Sequence, residues 1–297
     1  MTRPIDARGG PVGHTPRMIV EPDRDALRAA LDRESRRLVD RVRSSTHLDA
    51  PAPGLEWTAG QLVAHLCVVY RAFALAVHGQ DLTEEIAANL GTGNTLPEVV
   101  ASTNARALAV VTFPGPREAA DGLRECADEL LAALDTGPEL AAARPTPWYG
   151  TGVTRTVATL AALSVSESVV HGYDLAGALH TRPWLDERSA AAAAPTVMCE
   201  MLPLLVDPAR ARDFTGSFEV RIRHAPRFVL RLDGGQARTA PADGRGVDCV
   251  LSLSGCDALL VGFRRRKLWQ AIASGGALAY GRRPWLGLRF NTLFRLP

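Results

Sequence analysis

The chain has 297 residues, and its hydrophobic fraction of 46% and charged fraction of 22% are ordinary for a globular protein. Its formal net charge of +2 gives no indication of a nucleic-acid or acidic-membrane partner. No run of about 18 consecutive apolar residues occurs, so no transmembrane helix is expected. The N-terminus also lacks the apolar segment of a signal peptide. These features favour a soluble protein of one or two domains.

Cysteine usage indicates a reducing compartment. The chain has five cysteines, an odd number, and no CxxC pair. A disulfide framework or a cysteine-built zinc site is therefore not expected, and the cytoplasm is the predicted location. Lys267 is the only lysine among many arginines, a composition that resembles proteins of high-GC bacteria.

Helical periodicity dominates the first two thirds of the chain. We expect residues 1–18 to form a flexible tail, because glycine, proline and charged residues dominate it. Thr58 and Gln61 form a capping box that predicts the start of a helix reaching about residue 77. The other predicted helices cover about 24–46, 97–111, 117–134, 154–180 and 186–206, with a loop at 145–153.

The pattern changes near residue 210, where apolar and polar residues begin to alternate as in half-buried strands. Strands are predicted over 217–223, 227–232 and 248–253, followed by helices over 256–274 and 285–294. The sequence therefore predicts a helix bundle over 19–209 and a small α+β domain over 210–297.

Three ionisable side chains interrupt the apolar face of the helix predicted over 154–180. At 100° per residue, Glu167, His171 and Asp174 share one face with leucine and alanine residues. His65 interrupts a similar apolar face in the helix that follows Thr58. An unpaired buried carboxylate is costly, so Glu167 needs a partner. Two such helices facing each other would place His65, Glu167 and His171 around one cation, with Asp174 orienting an imidazole.

Spacing alone leaves several alternatives to a metal site open. A core histidine is often only hydrogen-bonded, and Glu-x-x-x-His can be a solvated i,i+4 pair. Two histidines and one carboxylate also suit a non-haem iron oxygenase. Di-iron chemistry of the ferritin type requires more inward glutamates than these helices provide.

The stretches 57-WTAGQLVAHL-66 and 167-ESVVHGYDLA-176 resemble the maleylpyruvate isomerase family of mycothiol-dependent enzymes, within the DinB-like superfamily. The resemblance implies a DinB-like four-helix bundle followed by a domain similar to sterol carrier protein 2. It implies a divalent metal, usually zinc, on His65, Glu167 and His171. The metal would bind and deprotonate the thiol of mycothiol, the small thiol of actinobacteria. The expected reactions are cis–trans isomerisation or S-transfer on a small electrophile.

Several candidates lie outside the motifs. Trp148 and Tyr149, which precede the metal helix, are expected either to line the cofactor pocket or to cap the bundle. In the isomerase type an arginine of the C-terminal domain helps to hold the substrate carboxylates. Arg282 and Arg283 are the candidates for that role, with a pair of surface arginines as the alternative. Many isomerase-like members also have an arginine a turn before the glutamate, where this chain has Ser164 and Ser166, which favours S-transfer.

Two more features have structural interpretations. The run 264-RRRK-267 could form an anion or lipid site, but such runs are usually solvated helix faces, and that is the interpretation adopted. Cys67 lies about 200° around the helix from His65 and is interpreted as a packing residue. The competing hypothesis from another class is a non-enzymatic protein that binds an apolar ligand through its C-terminal domain. No nucleic-acid or membrane partner is expected.

Overall fold

The structure is a computed structural model that describes residues 18–80, 82, 84, 95–150 and 152–295. The predicted tail at 1–18 lies outside this range except for Met18. Helices dominate the N-terminal part of the described chain. They are α1 (Arg24–Arg43), α2 (Ala59–Val77), α3 (Leu96–Leu108), α4 (Pro116–Thr136), α5 (Val157–Ala178), α6 (Glu187–Leu205) and the short α7 (Pro208–Ala211).

Local sequence signals account for the helix starts. Thr58 and Gln61 form the predicted capping box at α2, with 2.9 Å between Thr58 N and Gln61 Oε1 and 3.3 Å between Gln61 N and Thr58 Oγ1. The depth at which His65 enters the core is thereby fixed. The PGP segment at 114–116 ends in the first residue of α4, a position that tolerates proline because its N–H has no helical partner.

Helices α1, α2, α4 and α5 pack against one another around a shared apolar core. Helix α6 packs on α1 and α5 and also contacts the C-terminal part. The helical part is therefore joined to the rest of the chain through α6.

Helices α2 and α5, which carry the candidate ligands, are core helices. Nearly every position of α5 is buried, from Val157 at its first turn to Ala178 at its end. By length and composition alone, helix α2 could cross a membrane. However, 61% of its 18-residue apolar stretch is buried inside the protein. Its burial against α4 and α5 accounts for its apolar composition without a membrane.

The loop predicted at 145–153 connects the two strands of a short hairpin. Strands β1 (Ala143–Pro145) and β2 (Thr154–Thr156) pair antiparallel, with Arg144 opposite Arg155. A 3₁₀ turn over Pro147–Tyr149 lies between them. The hairpin was not predicted for two reasons. Its strands have only three residues each, and the proline and glycine residues around them are typical of loops. The hairpin sets Trp148 and Tyr149 just ahead of α5.

The C-terminal part contains a five-stranded sheet with the spatial order β5-β4-β3-β6-β7. Strand β3 pairs parallel with β6, and the other neighbours are antiparallel. The strands are β3 (Gly216–Ile222), β4 (Phe228–Asp233), β5 (Gln236–Pro241), β6 (Cys249–Leu253) and β7 (Ala277–Tyr280). The helices are α8 (Gly255–Gly262), α9 (Leu268–Ala273) and α10 (Leu286–Phe290).

The predicted order of a helical part and then a sheet-containing part is confirmed. Three strands were predicted near their observed positions. The two edge strands β5 and β7 were missed, because QARTAP and ALAY have few of the branched residues that mark strands. The helix predicted over 256–274 is two helices, separated by a turn in which Arg264 adopts a φ of 57°.

Candidate metal centre

Three metal-ligating side chains from two helices meet inside the helical part. His65 on α2 and His171 on α5 approach the same oxygen of Glu167, with 3.3 Å from His65 Nε2 and 3.1 Å from His171 Nε2 to Glu167 Oε2. The three ligand atoms lie within 4.8 Å of one another. Both histidines are 6% exposed, and the Glu167 side chain is 22% exposed. The cluster is thus buried, with its open side at Glu167.

The donor set and the separations of both histidines from Glu167 fit a zinc ion. Nitrogen and oxygen ligands bind zinc at about 2.0–2.1 Å in a tetrahedron, which places neighbouring ligand atoms roughly 3.3 Å apart. The two contacts of Glu167, at 3.3 and 3.1 Å, are close to that separation. Three protein ligands leave the fourth position open, which is the pattern of catalytic rather than structural zinc. His65, Glu167 and His171 are therefore suited to hold a divalent metal with room for a further ligand.

A second carboxylate orients His171. Asp174, one turn later on α5 and 3% exposed, lies 3.0 Å from His171 Nδ1 through its Oδ2. Since a carboxylate only accepts hydrogen bonds, the Nδ1 atom is the donor. The lone pair of the neutral His171 ring is then left on Nε2, the atom that faces Glu167. This is the arrangement by which a carboxylate fixes the tautomer of a metal-ligating histidine.

Asp174 is itself held by an arginine from the C-terminal part. Arg265 Nε lies 3.1 Å from both carboxylate oxygens of Asp174, and Arg265 Nη2 lies 3.0 Å from Oδ2. The Arg265 side chain is only 18% exposed. The prediction that 264–267 is a solvated face is therefore wrong at Arg265. The sequence contained no signal for this contact, because it joins residues 91 positions apart.

The four groups shift one another's ionisation in the metal-free cluster. Burial alone would raise the pKa of Glu167, but hydrogen bonds from His171 and His65 outweigh it and hold that pKa well below its ordinary value. Burial opposes protonation of His171, yet its hydrogen bonds with Asp174 and Glu167 raise its pKa to about 9. Burial lowers the pKa of His65, and Glu167 only partly offsets it. At neutral pH His171 is therefore the protonated imidazole of the cluster, and its Nε2 proton faces Glu167.

Zinc binding should consequently depend on pH. A metal must displace the proton from His171 Nε2, whose pKa is about 9, so apparent affinity should rise about tenfold per pH unit from pH 7 to about 8.5. Competition with a chelator of known proton affinity measures this slope, and proton release on mixing at pH 7.5 should approach one per zinc. An affinity that does not change between pH 7 and 8.5 would contradict the assignment of this proton.

An aromatic residue that the sequence did not single out as functional covers the two imidazoles. The Trp57 ring lies 5.0 Å from the His65 ring and 6.0 Å from the His171 ring, centroid to centroid. Trp57 immediately precedes the N-cap residue Thr58, so the capping box that fixes His65 also fixes Trp57. The tryptophan in the WT start of the motif was the available signal for this role.

The structure brings Trp148 and Tyr149 to the same region. The Trp148 ring stacks on Phe73 of α2 at 5.5 Å and lies 6.0 Å from the Tyr149 ring. Burial raises the pKa of the Tyr149 hydroxyl, and the charge of Glu167 adds to the shift. Both aromatic residues are half-buried. Their placement beside α2 and near Glu167 suits the lining of a pocket, while their role in binding a cofactor stays a prediction.

The structure does not bring Arg282 to the cluster. Arg282 hydrogen-bonds the Asp248 carboxylate, and its side chain is 72% exposed. Asp248 precedes β6, whereas Arg265 follows the opposite end of β6 and then α8.

Cys67 is buried, and the neighbouring Cys126 thiol together with burial raises its pKa. Cys67 is therefore a protonated packing residue, as its position on α2 predicted.

A protein-family model matches the N-terminal half of the chain. The family model described as "Mycothiol maleylpyruvate isomerase N-terminal domain" matches residues 28–176, which is 149 of the 297 residues. The matched segment contains His65, Glu167, His171 and Asp174. No curated protein matched the sequence.

Solved structures show a similar fold at low identity. One is a crystal structure of the mycothiol-dependent maleylpyruvate isomerase with a histidine-to-alanine substitution, at 15% identity and a TM-score of 0.50, covering 86% of this chain and 92% of the other. The same isomerase without the substitution matches at 15% identity and a TM-score of 0.47, with the same coverage. A UbiJ-SCP2 ubiquinone synthesis protein is 17% identical, covers 33% of this chain and 90% of its own, and has a TM-score of 0.25. The first similarity concerns the fold alone, and the two lower scores support no argument.

Proposed function

Because this chain belongs to the mycothiol maleylpyruvate isomerase family, we propose that it is a metal-dependent enzyme that uses mycothiol, or a similar small thiol, on a small electrophile. The observation that supports metal dependence most directly is the convergence of His65, Glu167 and His171 within 4.8 Å. The proposed architecture is a DinB-like four-helix metal-binding bundle over 19–209 and an SCP2-like domain over 210–297. The proposed location is the cytoplasm of an actinobacterium.

The protein groups around the site prepare it for an anionic sulfur. A divalent metal held there, zinc by preference for this donor set, supplies the Lewis acidity that lowers the pKa of a bound thiol. Glu167 and Asp174 contribute two negative charges, and Arg265 contributes one positive charge at Asp174. With a divalent cation bound and both imidazoles neutral, the site has one net positive charge, which favours a thiolate over a thiol.

The surrounding residues control access and orientation. Glu167 lies on the open side of the cluster, so a small thiol approaches from that side. Trp57 covers the two imidazoles, and Asp174 fixes the direction of the His171 lone pair. We propose that Trp148 and Tyr149 line the path by which thiol and substrate enter.

Isomerisation and S-transfer share the activated thiolate and differ in the fate of the thiol adduct. Addition to a conjugated cis double bond, rotation and elimination give the trans isomer, whereas retention of the adduct gives S-transfer. Ser164 and Ser166, in place of the arginine, favour S-transfer, but the isomerase activity for which the family is named favours isomerisation, and we give it the greater weight. Arg282 would have to leave Asp248 to contact a substrate carboxylate, so its proposed role has no support from its position.

The alternative of a ligand-binding protein is supported by one feature of the C-terminal part. An apolar cavity lies between α6, α8 and α10, and its lining includes Met198, Leu205, Leu259, Phe263 and Phe290. A role in binding apolar ligands leaves the buried cluster at Glu167 without a purpose. The thiol-dependent enzyme accounts for that cluster and is the function we favour.

The proposal is tested by measuring the ionisation of mycothiol on the protein. Ultraviolet absorbance of the thiolate, recorded against pH, should show a pKa falling from about 8.5 for an ordinary thiol to below about 7. The shift should disappear after chelation and return with zinc. The zinc-loaded protein is then incubated with maleylpyruvate and mycothiol. Formation of the trans isomer indicates isomerisation, and formation of a stable thioether indicates S-transfer. An unshifted thiol pKa on zinc-loaded protein would overturn the proposal.

A further inference from the structure

The side chains of the arginine-rich run at 264–267 have different surroundings. Arg265 is directed inward, where it makes three nitrogen–oxygen contacts of 3.0–3.1 Å with the Asp174 carboxylate. Its remaining Nη1 donates to the Phe263 carbonyl oxygen at 2.9 Å. Arg264 and Lys267, on either side in the run, are exposed. One cation of the run therefore belongs to the environment of the metal cluster although it comes from the C-terminal part.

The backbone conformation at the end of α8 sets the direction in which the Arg265 side chain leaves the chain. Helix α8 ends in a turn in which Arg265 N donates to the Leu260 carbonyl at 2.8 Å and Arg264 N to the Val261 carbonyl at 3.2 Å. Arg264 has a φ of 57°, a left-handed conformation that is uncommon for residues other than glycine. The chain direction at Arg265 is thus set by the helix cap, and the Phe263 contact holds the guanidinium in place.

The guanidinium restrains the carboxylate that orients His171. Two-pronged contact with a planar guanidinium fixes both the rotamer of a carboxylate and the plane of its oxygens. Asp174 Oδ2, which accepts from Arg265, is also the oxygen that lies 3.0 Å from His171 Nδ1. A rotation of Asp174 would break that bond and release the His171 ring. The contacts form a chain from the end of α8 through Asp174 to a candidate ligand.

We propose that Arg265 is a positioning residue of the metal centre: it locks Asp174, and through Asp174 it holds His171 Nε2 toward the metal position. This inference rests on the proposed function, since it assumes that the cluster holds a metal. It also means that the C-terminal part completes a metal site whose three ligands all belong to the helical part. Removal of the guanidinium should therefore weaken metal binding without touching a ligand.

The test compares zinc affinity and His171 geometry in matched variants of the full-length protein. Arg265→Met keeps much of the side-chain volume and removes the guanidinium, Arg265→Lys retains a cation, and Arg264→Gly removes a neighbouring charge at a position whose φ suits glycine. Chelator competition should give a zinc Kd about 10–100-fold weaker for Arg265→Met, the cost typical of losing an orienting partner of a ligand. We expect an intermediate value for Arg265→Lys and the wild-type value for Arg264→Gly.

A spectroscopic measurement distinguishes positioning from general destabilisation. Nitrogen-15 NMR of labelled histidines in the metal-free proteins, recorded above the His171 pKa of about 9 so that the ring is neutral, should show His171 protonated on Nδ1 in the wild type and a mixture of ring tautomers in Arg265→Met. The double variant Arg265→Met with Asp174→Asn removes the buried charge that the single change leaves unpaired. It should fold and bind zinc no more weakly than Arg265→Met, because both changes interrupt the same chain of contacts.

The outcomes separate this inference from the function on which it rests. Equal zinc affinity and an unchanged His171 signal in wild type and Arg265→Met would overturn the positioning role and leave the metal-dependent function standing. Absence of zinc binding by the wild type would overturn the function itself, and the positioning role with it. A change in Arg264→Gly equal to that in Arg265→Met would show a general charge effect and would also overturn the specific role.

Discussion

Replacing His171 with asparagine is expected to remove bound zinc and to lower mycothiol-dependent activity more than about 100-fold. An ordinary thiol with a pKa near 8.5 is only about 3% thiolate at pH 7, so loss of metal activation alone costs roughly 30-fold. Loss of the bound orientation of the thiol adds to this. Asparagine can still donate to Asp174 from its amide, so the contact now made by Nδ1 at 3.0 Å has a replacement and the fold should be retained.

The matched control is His180→Asn. His180 is exposed, lies beyond the end of α5 and has a φ of 52°, which asparagine tolerates. Zinc content by mass spectrometry, circular dichroism and activity with mycothiol should all match the wild type in this control. Retention of full activity and of zinc in His171→Asn would remove His171 from the ligand set.

Replacing Gly276 with alanine is expected to destabilise the protein by about 3–5 kcal/mol, the typical cost of breaking a buried ion pair. A Cβ atom at this position would lie 1.7 Å from Asp257 Oδ2. Asp257 is 4% exposed, accepts from Ser254 Oγ at 2.9 Å and is paired with Arg266. The added methyl group would displace this carboxylate and leave the Arg266 pair broken inside the C-terminal part.

Chemical denaturation measures this change in the free energy of unfolding. Gly262→Ala is the control, since no atom lies within 4 Å of its added Cβ and its φ is outside the left-handed region. The control should leave stability unchanged or raise it by up to about 1 kcal/mol, because alanine tolerates this backbone conformation and restricts the unfolded chain. Equal stability of the Gly276 and Gly262 variants would show that Asp257 moves without cost.

The ligand-bearing helices could be predicted because their signals are local. The capping box at Thr58 fixes where α2 begins, and helical periodicity alone places Glu167, His171 and Asp174 on one face of α5. The apolar surroundings of both helices placed His65 opposite that face, a packing inference that agrees with the 3.3 Å contact between His65 and Glu167.

Other parts of the site depend on tertiary contacts that no short sequence window contains. Arg265 reaches Asp174 across 91 residues of chain, and its neighbours in the arginine run are chemically equivalent to it in sequence. The same limitation explains why Arg282 was chosen as a candidate although Asp248 binds it. Only the course of β6 and α8 determines which arginine faces the cluster.

The charges of the buried cluster must be compensated within the protein. Three or four ionisable groups on otherwise apolar helices are costly unless they neutralise one another or bind an ion. In the metal-free protein the proton on His171 balances Glu167, and Arg265 balances Asp174. The buried charges are therefore compensated in pairs, and a divalent cation can replace the proton without leaving either carboxylate unpaired.

The metal content of the wild-type protein, purified without a metal-affinity tag and analysed by native and elemental mass spectrometry, tests the proposed metal centre most directly. We predict about one zinc or other divalent metal per chain, removed by a chelator and restored stoichiometrically. A protein that contains no metal and takes up none at pH 8, where the His171 proton is more easily displaced, would contradict the metal centre.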